Sequence, residues 1–96
     1  MTKVTSSVTL EHEKGLHARP ASVFVRTASD FNADVSVSKP DGESTADAKS
    51  SIGVISLSVE SGDEIEITAE GMDADQAVDR LVELVEADFE LDDNGT

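Results

Sequence analysis

The sequence predicts an α+β domain in which helices cover one face of a β-sheet, and three observations support this. Apolar and polar residues alternate strictly through residues 64–70, which is typical of a half-buried strand. Two other segments, after Pro20 and after Asp73, repeat apolar residues at helical spacing. A Pro-Asp-Gly turn at residues 40–42 separates two extended segments and indicates an antiparallel hairpin.

The first strand is predicted at residues 4–12, where Val4, Val8 and Leu10 share one face with Ser6. A helix of about three turns is predicted from Pro20, because apolar residues then recur every three or four positions. The apolar stripe of this helix comprises Ala21, Phe24, Val25, Ala28 and Phe31.

The middle of the chain is less regular. The first arm of the hairpin places Val35 and Val37 on one face, whereas the second arm, "ESTADA", is too weakly apolar to assign from its pattern. In "KSSIGVISLSVESGD", Ser50 could cap a short helix that carries Ile52, Ile55 and Leu57. Gly53 and the β-branched residues of the segment argue against a helix.

The last two elements are clear. Residues 64–70 form a predicted strand with Ile65, Ile67 and Ala69 on one side, and Asp73 is predicted to cap a strong helix. The stripe of that helix comprises Ala77, Val78, Leu81, Leu84 and Val85. We expect residues 1–90 to form a single domain and residues 91–96 to be a frayed acidic tail.

Charge is distributed unevenly along the 96 residues, whose net charge is −14. Residues 60–96 hold fourteen acids against Arg80 alone, giving −13, whereas residues 1–59 hold seven acids against six bases, giving −1. Such acidity argues against nucleic-acid binding, which relies on Lys and Arg at phosphates. It favours a halophilic protein kept soluble by charge, whose near-neutral first part docks partners.

The composition also indicates in which cellular compartment the protein is expected. The chain has no cysteine, which excludes disulfides and thiolate metal sites and fits a reducing environment. The first residues lack the apolar core of a signal peptide, and no segment is long enough to span a membrane. We therefore expect a cytoplasmic protein without membrane insertion.

The stretch "KGLHARPAS", residues 14–22, places His17 at or just before a helix N-terminus. Gly15 permits a tight turn, and Pro20 fits the first helical turn, where its missing N–H is not needed. Backbone N–H groups and the helix dipole favour an anion there, and Arg19 adds a fork of donors. This positive potential should lower the pKa of His17 and leave a neutral, nucleophilic ring nitrogen.

Two simpler interpretations of His17 remain at this point. An ordinary surface or capping histidine is more common than a phosphorylated one. A metal site would use Glu11, His12 and Glu13 with His17, but alternation separates His12 from the two carboxylates. The spacing matches no standard metal motif, so no metal is predicted.

Three segments, "GLHARPA", "AKSSIGVISL" and "GDEIEITAEG", occur in this order with the spacing of a known family. The chain resembles HPr, the histidine-containing phosphocarriers of the sugar phosphotransferase system, from Val4 to about Asp88. The resemblance implies an open-faced sandwich in the order βαββαβα, a four-stranded antiparallel sheet with three helices on one face. It makes "ESTADA" the third strand and Ser51 to about Leu57 the second helix.

The resemblance also implies a mechanism. Enzyme I, phosphorylated by phosphoenolpyruvate, would pass a phosphoryl group to Nδ1 of His17, which would pass it to an enzyme IIA component for sugar uptake. The phosphate would be held by Arg19 and by the backbone N–H groups of Ala18 and Arg19. Ser50 matches a serine that a regulatory kinase phosphorylates in some members, although a helix N-cap explains it fully and is the preferred interpretation. The protein would be a relay component, not an independent catalyst, and would need no cofactor.

Two positions depart from the family pattern. Lys14 replaces a common Ser or Asn and could contact the phosphate, and Ser51 replaces an apolar residue of the surface on which partners dock. The expected docking residues are Leu16, Pro20, Arg26, Lys49, Ser51, Ile52 and Ile55. We expect a monomer.

Two alternatives to the sugar pathway stay open. One is a carrier of the same kind for a dihydroxyacetone kinase phosphorelay, which the sequence does not distinguish. The other is a regulatory binding module that acts through the Ser50 face, against which the intact "GLHARPA" motif argues.

Overall fold

The structure, a computed structural model, describes residues 3–10, 18–40, 45–57, 59–60 and 62–87, with backbone alone at 18–20. Four strands and three helices lie within these ranges. In chain order they are β1 (Lys3–Thr9), α1 (Ala18–Ser29), β2 (Asp34–Ser38), β3 (Thr45–Asp47), α2 (Ser51–Ser56), β4 (Glu64–Glu70) and α3 (Ala74–Glu86). The predicted α+β class and the βαββαβα order are confirmed.

The strands form one sheet in the order β1-β4-β2-β3, and every neighbouring pair is antiparallel. The central strand β4 pairs with β1, where Glu70 lies opposite Lys3, and with β2, where Glu70 lies opposite Asp34. The short strand β3 adds to the far edge of β2. Strand β4 therefore lies between β1 and β2, which are not themselves paired.

The two faces of the sheet differ in chemistry because side chains alternate along each strand. Ile65, Ile67 and Ala69 of β4 are fully buried, as predicted, while Glu64 and Glu70 are exposed on the other face. The helices lie on the buried face: α3 packs on β1 and β4, α1 packs against α2 and α3, and α2 contacts β3. The opposite face is uncovered by these elements, which makes the fold an open-faced sandwich.

The helical stripes predicted from spacing supply much of the core. Phe24 of α1 and Leu81 and Leu84 of α3 are fully buried, and the rest of the α3 stripe is buried with them. Val25 and Phe31, predicted in the α1 stripe, are only half-buried and pack at its margin. Burial of these side chains fixes α1 and α3 on the sheet.

Strand β1 ends at Thr9, earlier than the predicted residue 12, and residues 11–17 lie outside the described ranges. Leu10 is nevertheless buried and still pairs across the sheet edge. Its N–H donates to the Asp63 carbonyl at 2.8 Å, and its carbonyl accepts from the Gly62 N–H at 2.7 Å. The predicted tail at residues 91–96 also lies outside the described ranges.

The predicted capping role of the Asp73 side chain is wrong, although α3 does begin directly after this residue. The carboxylate makes no hydrogen bond to its own helix. It accepts instead from the backbone N–H groups of Asn32 and Ala33, both at 2.8 Å. These N–H groups follow the end of α1 and bind a carboxylate 41 and 40 positions away in sequence, which a local capping rule does not consider.

Candidate functional site

Helix α1 begins at Ala18, two residues before the predicted start at Pro20 and directly after His17 in the sequence. Its first turn contains no acidic residue that would offset the positive end of the helix dipole. His17, Lys14 and Leu16 lie outside the described residues, and Arg19 and Pro20 are described by their backbone only. The backbone at this point is therefore suited to an anion, as the sequence predicts.

Helix α2 has six residues and is capped at its start by Ser50. The Ser50 hydroxyl oxygen accepts from the Gly53 N–H at 3.1 Å, while the Ser50 carbonyl accepts from the Val54 N–H at 2.9 Å. The backbone of Ser50 is extended, as a capping residue requires. The ambiguous segment is therefore a helix, and its N-cap is confirmed.

The outer face of α2, formed by Ser51, Ile52, Ile55 and Ser56, is exposed and uncharged. Ile52 is 78% exposed and Ile55 41%, whereas Val54 on the opposite side is fully buried. Among the described residues, the other exposed large apolar side chain is Met72, on the turn before α3. Ile52 and Ile55 therefore form a small exposed apolar patch on this helix.

Arg26 lies in the last turn of α1 and is exposed, together with Ser22 and Ser29 on the same side of the helix. Because α1 packs against α2, this basic side chain belongs to the same helical layer as the outer face of α2. The two helices thus combine a positive charge with apolar surface, although the rest of the molecule is strongly acidic.

Lys49, one of the expected docking residues, contacts the backbone just after α1. Its ammonium donates to the Phe31 carbonyl at 2.8 Å, just beyond the C-terminal end of α1. The twelve residues of α1 span about 18 Å, so this ammonium is at the opposite end of the helix from Ala18. A cation at a helix C-terminus is stabilised by the dipole, which is a structural role.

Asp73 lies on the other side of the same peptide unit. The N–H groups of Asn32 and then of Ala33 lower the pKa of Asp73, and the charge of Lys49 lowers it further. Neither the Asp73 contact nor the Lys49 contact was anticipated, because both join residues far apart in sequence. The sequence features that could have pointed to these contacts are the lysine directly before the cap of α2 and the aspartate directly before α3.

The described residues contain neither a metal-binding cluster nor a membrane-spanning helix. No group of three or more His, Asp or Glu side chains among them could hold a metal ion. The earlier metal candidates Glu11, His12, Glu13 and His17 fall outside those ranges. No helix in the described part of the chain is both long and apolar enough to cross a membrane.

The fold is a four-stranded antiparallel sheet with three helices on one face. Its first helix starts directly after the histidine of "GLHARPA". This fold and this motif together define the class of small phosphocarrier proteins. A family model described as the phosphotransferase system HPr component phosphorylation site matches residues 4–87. The chain therefore belongs to the HPr family and is a phosphocarrier of the phosphotransferase system, a relay component without independent catalysis.

Individual relatives agree with this assignment. The phosphocarrier protein HPr of Haloferax volcanii is 42% identical over 79 residues, covering 82% of this chain and 89% of that one. The phosphocarrier protein NPr of Shewanella violacea is 38% identical, covering 94% of this chain and 97% of that one. The crystal structure of HPr from Bacillus anthracis superposes with a TM-score of 0.81 at 39% identity, covering 88% of this chain and 99% of that one.

Proposed function

We propose that His17 carries the phosphoryl group, accepting it from phosphorylated enzyme I and passing it to an enzyme IIA component. The observation that carries the proposal is the start of α1 at Ala18, because a helix N-terminus stabilises an anion on the residue before it. Membership of the HPr family supplies the phosphoryl chemistry.

The transfer follows from this placement. The unprotonated Nδ1 of His17 attacks phosphorus, a P–N bond forms, and the bond between phosphorus and the donor breaks. The N–H groups of Ala18 and Arg19, with the Arg19 and Lys14 side chains, neutralise the charge on the phosphoryl oxygens. Transfer to the acceptor reverses the same steps, so the protein returns unchanged.

Partners dock on the outer face of α2 and on the adjoining part of α1. Ile52 and Ile55 offer apolar surface, and Arg26 offers positive charge. Leu16 and Pro20, which flank His17 in the sequence, are further docking candidates. Ser51 makes this surface less apolar than the family pattern and so affects the choice of partner. The protein works as a monomer in the cytoplasm and holds no cofactor.

Ser50 is a candidate for regulatory phosphorylation as well as the cap of α2. A phosphate there would add negative charge beside the outer face of α2 and repel an acidic partner surface. The cap alone accounts for the hydrogen bond to Gly53, so a kinase assay on the purified protein decides whether Ser50 has the second role.

The experiment that tests the site is labelling with radioactive phosphoenolpyruvate and the enzyme I of the same host. We expect acid-labile label on the wild-type protein and on His12→Ala, since His12 is the other of the two histidines. We expect no label on His17→Ala. Label on His17→Ala would contradict the site, and an unlabelled wild type would contradict the carrier function itself.

Transfer from the labelled protein to candidate acceptors then identifies the pathway. We expect enzyme IIA components to remove the label within the mixing time of the assay. Discharge by a dihydroxyacetone kinase component, and by no enzyme IIA, would assign the carrier to the alternative relay.

A further inference from the structure

We infer that Lys49 is a positioning residue that holds the outer face of α2 in its docking orientation, and is not itself a docking charge. This inference rests on the proposed docking of enzyme I at that face. It starts from the part-buried hydrogen bond between the Lys49 ammonium and the Phe31 carbonyl.

The segment before α2 is attached to the sheet as well as to α1. The Lys49 N–H donates to a carboxylate oxygen of Asp47 at 2.9 Å, and the Ser50 N–H donates to the Asp47 carbonyl at 3.0 Å. The Ala48 N–H donates to the Val35 carbonyl at 2.9 Å. These bonds hold the backbone on β2 and β3, and the Lys49 side chain is the contact that extends from it to the end of α1.

The peptide unit between Phe31 and Asn32, called the junction peptide below, is held from both sides. Its carbonyl accepts from Lys49, and its N–H donates to Asp73 at 2.8 Å. Hydrogen bonds to charged groups are stronger than neutral ones, and bonds on the two ends of one amide polarise each other. The end of α1 and the starts of α2 and α3 therefore meet at one rigid point.

Helix α2 needs such a support because it is short. A helix of six residues is unstable by itself, so its orientation depends on packing and on its ends. Within the helix only Val54 is buried, and Leu57 packs just after its end. Loss of the Lys49 contact would leave Ser50 and Val54 as the attachments nearest the outer face of α2.

The charge of Lys49 is poorly placed for docking. Its ammonium is bonded to a carbonyl and lies in the field of Asp73, whose pKa it helps to lower. Arg26, by contrast, is exposed on α1. A docking charge governs the salt dependence of association, whereas a positioning residue governs local order, and the two roles are separable by measurement.

The test compares Lys49→Met and Lys49→Arg with Arg26→Met and Lys39→Met. The Lys39 ammonium lies 3.5 Å from Asp63, at the opposite end of β2 from Asp34, so Lys39→Met is a matched control for the loss of one positive charge. Phosphoryl transfer from enzyme I is measured between low and molar KCl, and amide exchange is followed at Val54, Ile55 and Leu57.

We expect Lys49→Met to exchange roughly tenfold faster at these amides, since a hydrogen bond to a charged group is worth at least that factor in an opening equilibrium. The KM of enzyme I for Lys49→Met should be about threefold to tenfold higher than for the wild type. The kcat should be unchanged, because only binding is weakened. The salt dependence of KM should equal that of the wild type. Lys49→Arg, which keeps a charged donor, should restore both values.

Arg26→Met should instead flatten the salt dependence, and Lys39→Met should change neither readout. A flattened salt dependence in Lys49→Met, or unchanged exchange at α2, would overturn the inference. If Lys49→Met does not fold, Lys49→Gln, whose shorter side chain is an uncharged donor, takes its place, and both values should change in the same direction by a smaller factor. Amide exchange is measured on the protein alone, so it decides the role of Lys49 even if enzyme I fails to label the wild type.

Discussion

Gly71 lies against Ala33, so closely that a Cβ atom on Gly71 would be 3.0 Å from the Ala33 Cα. The φ angle of Gly71 is +146°, which L side chains rarely adopt. The turn between β4 and α3 therefore depends on glycine for two reasons, space and backbone conformation. The same turn brings Asp73 to the end of α1.

We expect Gly71→Ala to lower the free energy of unfolding by about 2–4 kcal/mol, because strain and a backbone clash add. Gly62→Ala is the matched control, since Gly62 has a φ of +93° but no atom within 4 Å of an added Cβ. It should cost only about 1 kcal/mol, from backbone strain alone. Urea unfolding measures both, and equal losses would show that the contact with Ala33 is not tight.

Asp73 should make stability depend on pH in the acid range. The pKa of Asp73 is lowered in the folded protein, chiefly by the hydrogen bond from the Asn32 N–H. The ionised carboxylate therefore stabilises the folded state. This contribution to the free energy of unfolding is complete above the unfolded pKa of about 3.9, and it is lost as the pH falls through the folded pKa. Asp73→Asn should therefore have a lower melting temperature than wild type at pH 7, and the difference should shrink toward pH 2. Asp79→Asn, which removes an exposed acid beyond the first turn of α3, should change little. A deficit that is constant with pH would contradict this account.

The sequence predicts elements well where one residue pattern dominates. Strand β4 and helix α3 have clean periods of two and 3.6, and their inward residues are all buried. Strand β3 has three residues, of which only Ala46 faces inward, so its sequence shows no period of two. Only the family resemblance predicts this strand.

The starts of α2 and α3 show that local sequence rules do not predict which partner a capping residue binds. Ser50 and Asp73 are both good capping residues, yet Ser50 caps α2 and Asp73 binds Asn32 and Ala33 instead. Lys49 likewise was assigned to a docking patch from the skew of charge along the chain, and it bonds to Phe31. The motif around His17 predicted the start of α1, whereas these tertiary contacts needed the folded arrangement.

Ser50 variants separate capping from charge. Ser50→Ala should lower the free energy of unfolding by about 1 kcal/mol, because the Gly53 N–H loses its partner. Ser50→Asp keeps a capping oxygen and should retain stability, but its charge should raise the KM for transfer from enzyme I. Ser51→Ala, at an exposed neighbour, is the control for stability. Unimpaired transfer by Ser50→Asp would argue against regulation at this position.

Salt should stabilise the protein by screening like charges on the uncovered face of the sheet. Asp34 lies directly opposite Glu70 on neighbouring strands, an arrangement that costs about 0.2–1 kcal/mol. Asp34→Asn should therefore raise the free energy of unfolding in dilute buffer, and the gain should disappear in molar KCl, where the Debye length is about 3 Å. Wild-type stability that is equal in both salts would remove the case for a halophilic protein.

Ile52 should contribute to binding without contributing to folding. Its side chain is 78% exposed, so Ile52→Gln should leave the free energy of unfolding within about 0.5 kcal/mol of the wild type. Loss of apolar contact should raise the KM of enzyme I for this protein about tenfold, since burying such a side chain is worth about 1.5–3 kcal/mol. The rise should persist in molar KCl, because salt does not screen apolar contact.

Met72→Gln is the matched control for Ile52→Gln. Met72 is an even more exposed apolar residue, but it lies on the turn before α3 and outside the outer face of α2. Its replacement should change neither stability nor KM. If both variants raised KM alike, general surface apolarity would explain docking, and the assignment of the outer face of α2 would be wrong. If Ile52→Gln alone raises KM at every salt concentration, apolar contact at α2 carries the part of the binding that long-range charge does not supply at high salt.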